Sequence, residues 1–250
     1  MRGVDISVHQ KTLTIKKIKD AGFDFAILRG GYTGYGSARS KNKDTMFETF
    51  YQQSRELGFP VGCYYYSCAT NMQEGAEEAK FLYENCLKDK QFEFPIYLDV
   101  EEKRWQLNKR IGVTDAIIGF CSYLEEKGFY VGVYASLDWF KNKIDTSRLN
   151  AYTKWVACWS KNKPNFAWNA FDMWQDSSSG DVFGVRVDTD IAYVDFPAII
   201  KKYWLNGYDS TYHTVKEGET LSEIADHYGT TVDKLIEKNG LIKAGQTLRI

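Results

Sequence analysis

The sequence predicts an α/β protein whose larger part is an irregular (β/α)8-like barrel with a reduced helix complement, followed by a small βααβ domain. Three observations predict it. A helical pattern, a glycine suited to a left-handed cap, a phenylalanine and an apolar strand recur in that order three times, at Gly22-Phe23, Gly58-Phe59 and Gly128-Phe129. Eight strand-like segments precede residue 205, and helix alternating with buried strand implies parallel pairing with right-handed crossovers. The last three segments lie too close together for full crossover helices, which favours a barrel short of helices over an open doubly wound sheet.

In chain order, a strand over 3–7 opens the barrel, and a helix over 14–21 leads through Gly22 to a strand over 25–31. A helix over 44–57 leads to a strand over 61–67, and a helical pattern near 73–87 precedes a strand over 94–101. A helix over 113–127, with Ile117, Cys121 and Leu124 on one face, precedes a strand over 131–136. Strands over 155–159, 171–175 and 185–190 follow, and a short helix through Ile199, Ile200 and Trp204 closes a first domain, 1–205. Residues 206–211 are polar and aperiodic and read as a linker. The second domain, 212–250, reads as strand 212–216, helix 221–228, helix 232–238 and strand 247–250. Thr220-Leu221-Ser222-Glu223 has the form of a capping box, and Asn239-Gly240 stops the second helix. So small a unit buries little, which suits a binding module rather than an enzyme.

Hydrophobic content of 44% and charged content of 26% are ordinary for a globular chain, and a net charge of −1 makes no electrostatic case for nucleic acid or an anionic membrane. The aromatic content is 16%, with 17 Tyr and 7 Trp, and flat amphipathic rings suit stacking on sugar faces as well as core filling. Cys63, Cys68, Cys86, Cys121 and Cys158 are odd in number and irregularly spaced, which indicates neither a disulfide framework nor a zinc site. Reduced thiols of a chain made in the cytoplasm are expected. Met1-Arg2-Gly3-Val4-Asp5 reads directly into a strand with no signal peptide, and no apolar run is long enough to span a bilayer. Membrane insertion is therefore not expected.

The chemistry is carried by acids at strand ends. Phe94-Pro95-Ile96-Tyr97-Leu98-Asp99-Val100-Glu101-Glu102 is an apolar run that ends where a barrel builds its site. Asp99 and Glu101 are two apart, so an extended backbone points both to one side, with Cβ atoms roughly 6–7 Å apart. Asp5 ends the first strand, and Asp188 with Asp190 ends the last. Arg29, Tyr32, Tyr64, Tyr66, Tyr134, Trp159, Trp174 and Gln175 fall at the same level. Several acids in one cleft cannot all ionise freely, so one stays protonated near neutrality. A competing structural reading pairs Asp5 and Asp188 with Arg29 as salt bridges and places Tyr64, Tyr66 and Trp174 in the core. A metal site is a further reading of acids, but no D-x-D-x-D loop or His partner accompanies them, and neither metal nor cofactor is expected.

Gly3-Val4-Asp5-Ile6-Ser7-Val8-His9-Gln10, Ile27-Leu28-Arg29-Gly30-Gly31-Tyr32, Gly62-Cys63-Tyr64-Tyr65-Tyr66-Ser67, Leu98-Asp99-Val100-Glu101, Trp174-Gln175 and Val187-Asp188 occur in an order and spacing that resembles glycoside hydrolase family 25, the muramidases of the Chalaropsis lysozyme type, many of them phage endolysins. The resemblance implies Glu101 as general acid, Asp99 as the group that orients or stabilises the reacting centre, and Asp5 and Asp188 as members of the supporting network. It also implies peptidoglycan as substrate, and passage to the wall through holin pores. The sequence departs from the family pattern at Tyr65, Asp176 and Asp190, which are expected at the cleft's edge. Tyr212-His213-Thr214-Val215-Lys216-Glu217-Gly218-Glu219-Thr220-Leu221, Tyr228-Gly229-Thr230, Asn239-Gly240-Leu241 and Gly245-Gln246-Thr247-Leu248 resemble a LysM module, which implies binding of N-acetylglucosamine-containing glycan. Its expected contacts are Gly218, Glu219, Thr220, Leu221, Asn239, Gly240 and Leu241. An N-acetylglucosaminidase or chitinase and a non-catalytic wall binder are the alternatives. Retaining, inverting and substrate-assisted hydrolysis all remain compatible with the Asp-x-Glu spacing, the last being the working hypothesis.

Overall fold

Gly22, Gly58 and Gly128 all have positive φ, at +85°, +57° and +80°, so each takes the left-handed turn that stops a helix. Gly58 donates its N–H to the carbonyls of Arg55 and Ser54, and the chain then turns directly into a strand. The structure is a computed structural model that describes residues 1–106, 109–164, 171–208, 212–228, 230–240 and 245–250.

The barrel unit, Met1–Gly207, is built in the order β1 (Arg2–Ile6), α1 (Ile15–Asp20), β2 (Phe25–Thr33), β3 (Lys41–Lys43), α2 (Phe47–Leu57), β4 (Val61–Tyr66), α3 (Met72–Leu82), β5 (Ile96–Asp99), α4 (Lys103–Gln106), α5 (Arg110–Glu125), β6 (Val131–Ser136), α6 (Leu137–Asn142), β7 (Thr153–Ala157), β8 (Met173–Val182), β9 (Val185–Ala192) and α7 (Phe196–Lys202). β1 pairs with both β2 and β9, so eight strands close on themselves, with β3 a short extra strand on β2. The sequence expectation of all-parallel pairing is corrected at β9, which is antiparallel to both β8 and β1. The reason is local. Only Phe183 and Gly184 join β8 to β9, both at positive φ (51° and 82°), the two-residue hairpin turn whose twist matches paired strands.

Strand alternation divides the residues cleanly. Val4, Ile6, Ala26, Leu28, Cys63, Tyr65, Leu98 and Val133 face outward and are buried beneath the helices. Inside, Phe25 stacks on Phe94 (4.1 Å between centroids) and Phe196 meets Phe94 at a tilt (5.6 Å), plugging the end of the barrel where the parallel strands begin. Trp155 sits nearer the mouth, in ring contact with Tyr97, Tyr134 and Tyr64 at 5.2, 4.5 and 6.3 Å. This filled interior is the floor on which the acids stand. Asn206, counted with the linker in the sequence reading, is fully buried in the barrel: its side chain accepts from the Tyr130 N–H (2.6 Å) and donates to the Phe94 carbonyl (2.8 Å). Residues 209–211 lie outside the described residues.

Outside the barrel wall, Glu78 of α3 is buried and ties two strand ends together. Its carboxylate accepts from the Thr33 hydroxyl (2.6 Å), the Ser67 hydroxyl (2.6 Å) and the Cys68 N–H (3.1 Å). Burial pushes its pKa up to about 7, against those three hydrogen bonds. The folded state therefore holds this proton more tightly than the unfolded chain, and stability falls as pH rises from the ordinary 4.5 through about 7. The group's share of that loss is about 3 kcal/mol as an order of magnitude. Glu78→Gln should make the difference in unfolding free energy between pH 4.5 and pH 8 smaller by about this amount. Urea titrations at both pH values check it, and an unchanged difference would show that Glu78 does not titrate there.

The second unit, Tyr208–Ile250, is built from β10 (Tyr212–Thr214), α8 (Leu221–His227), α9 (Val232–Asn239) and β11 (Thr247–Arg249). β10 and β11 pair antiparallel over a core of Val215, Ile224, Ala225, Leu235, Leu248 and Ile250. The expected capping box is present, with Thr220 Oγ1 accepting from the Glu223 N–H and Glu223 accepting from the Thr220 N–H (2.9 Å).

Candidate active site

Hydrogen bonding continues the β5 ladder past Asp99: the Ser67 N–H donates to the Asp99 carbonyl and the Val100 N–H to that of Tyr134, both 2.9 Å. Val100 is buried in the outer core, while Asp99 lies on the inner face and Glu101 lines the cleft, as the spacing of two predicts. Asp188 lies directly opposite Asp5 in the antiparallel β1–β9 pair, which puts both side chains on one face. Because β9 runs against its neighbours, its first half lies at the mouth and Asp190 lies deeper, opposite Gly3. Asp190 is fully buried and accepts from the Trp155 indole N–H (2.9 Å). It belongs to the acid cluster, which corrects its expected place at the cleft's edge.

Gln175 organises the group. Its Oε1 accepts from the Tyr134 hydroxyl (2.9 Å) and from the Trp159 indole (3.1 Å), so its amide nitrogen points to Asp5 Oδ2 at 2.8 Å. Burial is the main cause that raises every acid here. Asp5 is pushed up to about 8, with the facing Asp188 second and Gln175 opposing. Asp99 is held well above the ordinary range by burial and then by Glu101 and Asp5, with Arg29 opposing. Glu101 is open to the cleft along part of its surface, but its carboxyl sits among protein atoms and is raised by desolvation and Asp188. Asp188 and Asp190 are raised too. Five carboxyls so placed share protons and can split into acid and base roles. Among the described residues they do not form a group that could hold a metal ion.

Arg29 does not pair with Asp5 or Asp188: its Nε donates to Asp44 Oδ2 at 2.7 Å, and Asp44 also accepts from the Val8 and Met46 N–H groups. A bulge between Arg29 and Gly31 changes the strand's parity, so that Arg29 pairs with Tyr64 while Tyr32 pairs with Tyr66. Arg29 and Tyr32, three apart, thereby come within 5.2 Å in cation–π contact. Gly30 at the bulge has no room for a side chain, since a Cβ would meet Leu82 Cδ1 at 2.5 Å and Cys63 Sγ at 2.7 Å. Tyr64, Tyr66 and Tyr134 are close enough to the acids to feel their charges, and Trp159 lines the cleft. Trp174 is corrected. Adjacent to Gln175, it faces the outer core and donates its indole N–H to the Cys158 carbonyl (2.8 Å), which steadies the approach to Trp159. Tyr65 also faces outward, against Thr33, and Asp176 accepts from the Thr189 hydroxyl. The cleft, about 580 Å³, is further lined by His9, Gln10, Ser178, Val185 and Arg186. Sequence reasoning passed over these as site residues, although Arg186 two before Asp188 carries the same-face signal as Asp99 and Glu101.

In the second unit, Gly218 turns at φ +89°, Glu219 Oε2 accepts from His213 Nε2 (2.7 Å), and Thr220 caps α8, which starts at Leu221. Asn239 and Gly240 end α9, and Val215 exchanges backbone hydrogen bonds with Gln246 and Gly245. Leu241 lies outside the described residues. A cavity of about 400 Å³ is lined by His213, Lys216, Glu219, Glu223, Ile224, His227 and Tyr228, sharing only Glu219 with the expected set.

A closed eight-stranded barrel with carboxyls converging at its mouth, beside tyrosines and an exposed tryptophan, defines the class of barrel glycoside hydrolases. The family model of glycosyl hydrolases family 25 matches residues 4–185, and that of the LysM domain residues 213–250. The chain belongs to glycosyl hydrolases family 25 and carries a LysM domain. It is 24% identical over 193 residues to the autolytic lysozyme of Clostridium acetobutylicum, covering 76% of this chain and 55% of that protein. The modular autolysin LytC of Streptococcus pneumoniae aligns with TM-score 0.64 and 25% identity, over 77% of this chain and 46% of the other, and it has also been solved with a synthetic peptidoglycan ligand. A lysozyme of Streptomyces coelicolor has the same fold, with TM-score 0.68 and 20% identity over 83% of this chain and 98% of the other. The chain thus spans about half the length of the first two.

Proposed function

We propose that the protein is a peptidoglycan hydrolase that cleaves the β-1,4 bond between N-acetylmuramic acid and N-acetylglucosamine, held on the wall by its LysM domain. The observation that carries this reading is the convergence of Asp5, Asp99, Glu101 and Asp188 at one mouth with Glu101 open to the cleft and raised. Glu101 protonates the glycosidic oxygen. Asp99 steadies the reacting centre, and Asp5 with Asp188 keeps the proton inventory high. Tyr64, Tyr66, Tyr134 and Trp159 offer ring faces and hydroxyls to the sugars. The LysM domain raises the local concentration of glycan by tethering. Among the described residues no helix is long and apolar enough to cross a membrane. Release from the cytoplasm through holin pores, as for endolysins, completes the reading.

Purified cell wall is to be digested, the new ends reduced with borohydride, and the reduced sugar identified by mass spectrometry. Reduced muramic acid is expected. Reduced glucosamine would make the enzyme an N-acetylglucosaminidase, and no new ends would leave a binding protein.

A further inference from the structure

We propose that Arg186 is a specificity-determining residue that binds a carboxylate of the peptide stem carried by the muramic acid. This rests on the muramidase reading and deepens it from the sugar backbone to its substituent. Alternation along β9 puts Arg186 on the face of Asp188, and both line the cleft with Glu101. An arginine beside so many acids would ordinarily be neutralised by one of them. Among the described residues no carboxylate lies within ion-pair distance of it, although Asp188 is near enough for the Arg186 charge to oppose its raised pKa. Instead its Nε donates to the Ser178 carbonyl (2.5 Å), with Nη2 at 3.5 Å from the Ser178 hydroxyl. Its own carbonyl accepts weakly from Gln10 Nε2 (3.4 Å).

These contacts are built by the sheet. The β8–β9 register shifts between Gln175 and Ser177 and again between Ser177 and Gly180, and Ser178 lies within that irregular stretch. The guanidinium is thus oriented by a neutral partner, with Nη1 left without one among the described residues. A planar fork held this way at the edge of a cleft suits a carboxylate, and a neutral chitin-type glycan offers nothing to it. The peptide stem on muramic acid does carry carboxylates. They are also the groups that Glu101 and Asp188, which line the cleft, repel when ionised, so a cation placed at the rim favours an anionic substituent there.

The test uses the full chain and soluble wall glycan fragments in two forms, one with free carboxyls and one in which they have been converted to methyl amides by carbodiimide coupling. The readout is the ratio of kcat/KM for the free form to that for the amidated form, in the wild type, Arg186→Gln and Arg186→Lys. For Arg186→Gln the ratio should fall about fivefold, through KM, as expected for one partly exposed charged pair. Arg186→Lys, which keeps the charge but not the fork, should fall between them, and it keeps the test open if the glutamine variant folds poorly. An unchanged ratio overturns the proposal. That includes equal losses on both substrates with a shifted pH profile, which would make Arg186 a partner of Asp188 only. Cleavage of neither substrate by the wild type would overturn the muramidase reading, whereas cleavage of both with an unchanged ratio overturns this inference alone.

Discussion

Glu101→Gln should reduce release of new reducing ends by about 10³-fold, while adsorption to the wall should be kept. Glutamine preserves the shape at the end of β5 but has no proton to give. Glu101 is the acid best placed to give one, because it lines the cleft while burial and the Asp188 charge keep its carboxyl above the ordinary range. Activity should therefore persist well above the usual glutamate pKa and fall as pH rises through the raised one. The Glu101 charge also raises Asp5 and Asp99, so its removal relieves like-charge crowding and the variant should melt higher than the wild type near neutrality. Binding should survive because the LysM domain is a separate unit with its own core. Reducing-end assays and wall pull-down measure the two halves. Residual activity within tenfold of the wild type would move the acid role elsewhere, with Asp5, pushed up to about 8, as the next place to look.

The eight barrel strands were legible because burial on both faces leaves long apolar runs, and the helix stops because only glycine turns left-handed cheaply at Gly22, Gly58 and Gly128. The antiparallel β9 was missed because the strand before it was read too short. The strand read as ending at 175 continues to Val182, which leaves only Phe183-Gly184 before β9, too few residues for a crossover. Trp174 and Gln175 were both assigned to the cleft, although neighbours on a strand face opposite ways. The structure keeps Gln175 and turns Trp174 outward. Other features had no signal to read. β3 is Lys41-Asn42-Lys43, an all-polar edge strand. The bulge beside Gly30 resets the parity of β2, and the Arg29–Asp44 pair follows from that reset and from the return of the chain through β3. Pairwise contacts that depend on a one-residue shift are set by packing, and no periodicity encodes them.

Asp99→Asn should lower kcat by about 10²-fold with a smaller change in KM, and should raise the melting temperature. Asp99 is almost wholly buried, and among the described residues its Oδ1 has no hydrogen-bond partner. Leaving a buried acceptor unpaired costs about 1–3 kcal/mol, and a substrate N–H brought into the cleft would remove that cost. The acetamido N–H of the sugar at the cleavage point is such a donor. When the acetamido oxygen attacks the anomeric carbon, the nitrogen gains positive character, so its bond to Asp99 strengthens in the transition state more than in the ground state. Asparagine keeps an acceptor but not the charge, which is why kcat rather than KM should respond. Folding raises the Asp99 pKa above its unfolded value, chiefly by burial and then by Glu101 and Asp5. This carboxyl therefore costs stability as pH rises out of the ordinary aspartate range, and the variant's gain in melting temperature should be larger at pH 7 than at pH 4. The same assignment requires net retention, because attack by the acetamido oxygen and then by water inverts the centre twice. Proton NMR of the first-formed product should show the β-anomer, and an α-anomer would remove Asp99 from this role whatever its effect on rate.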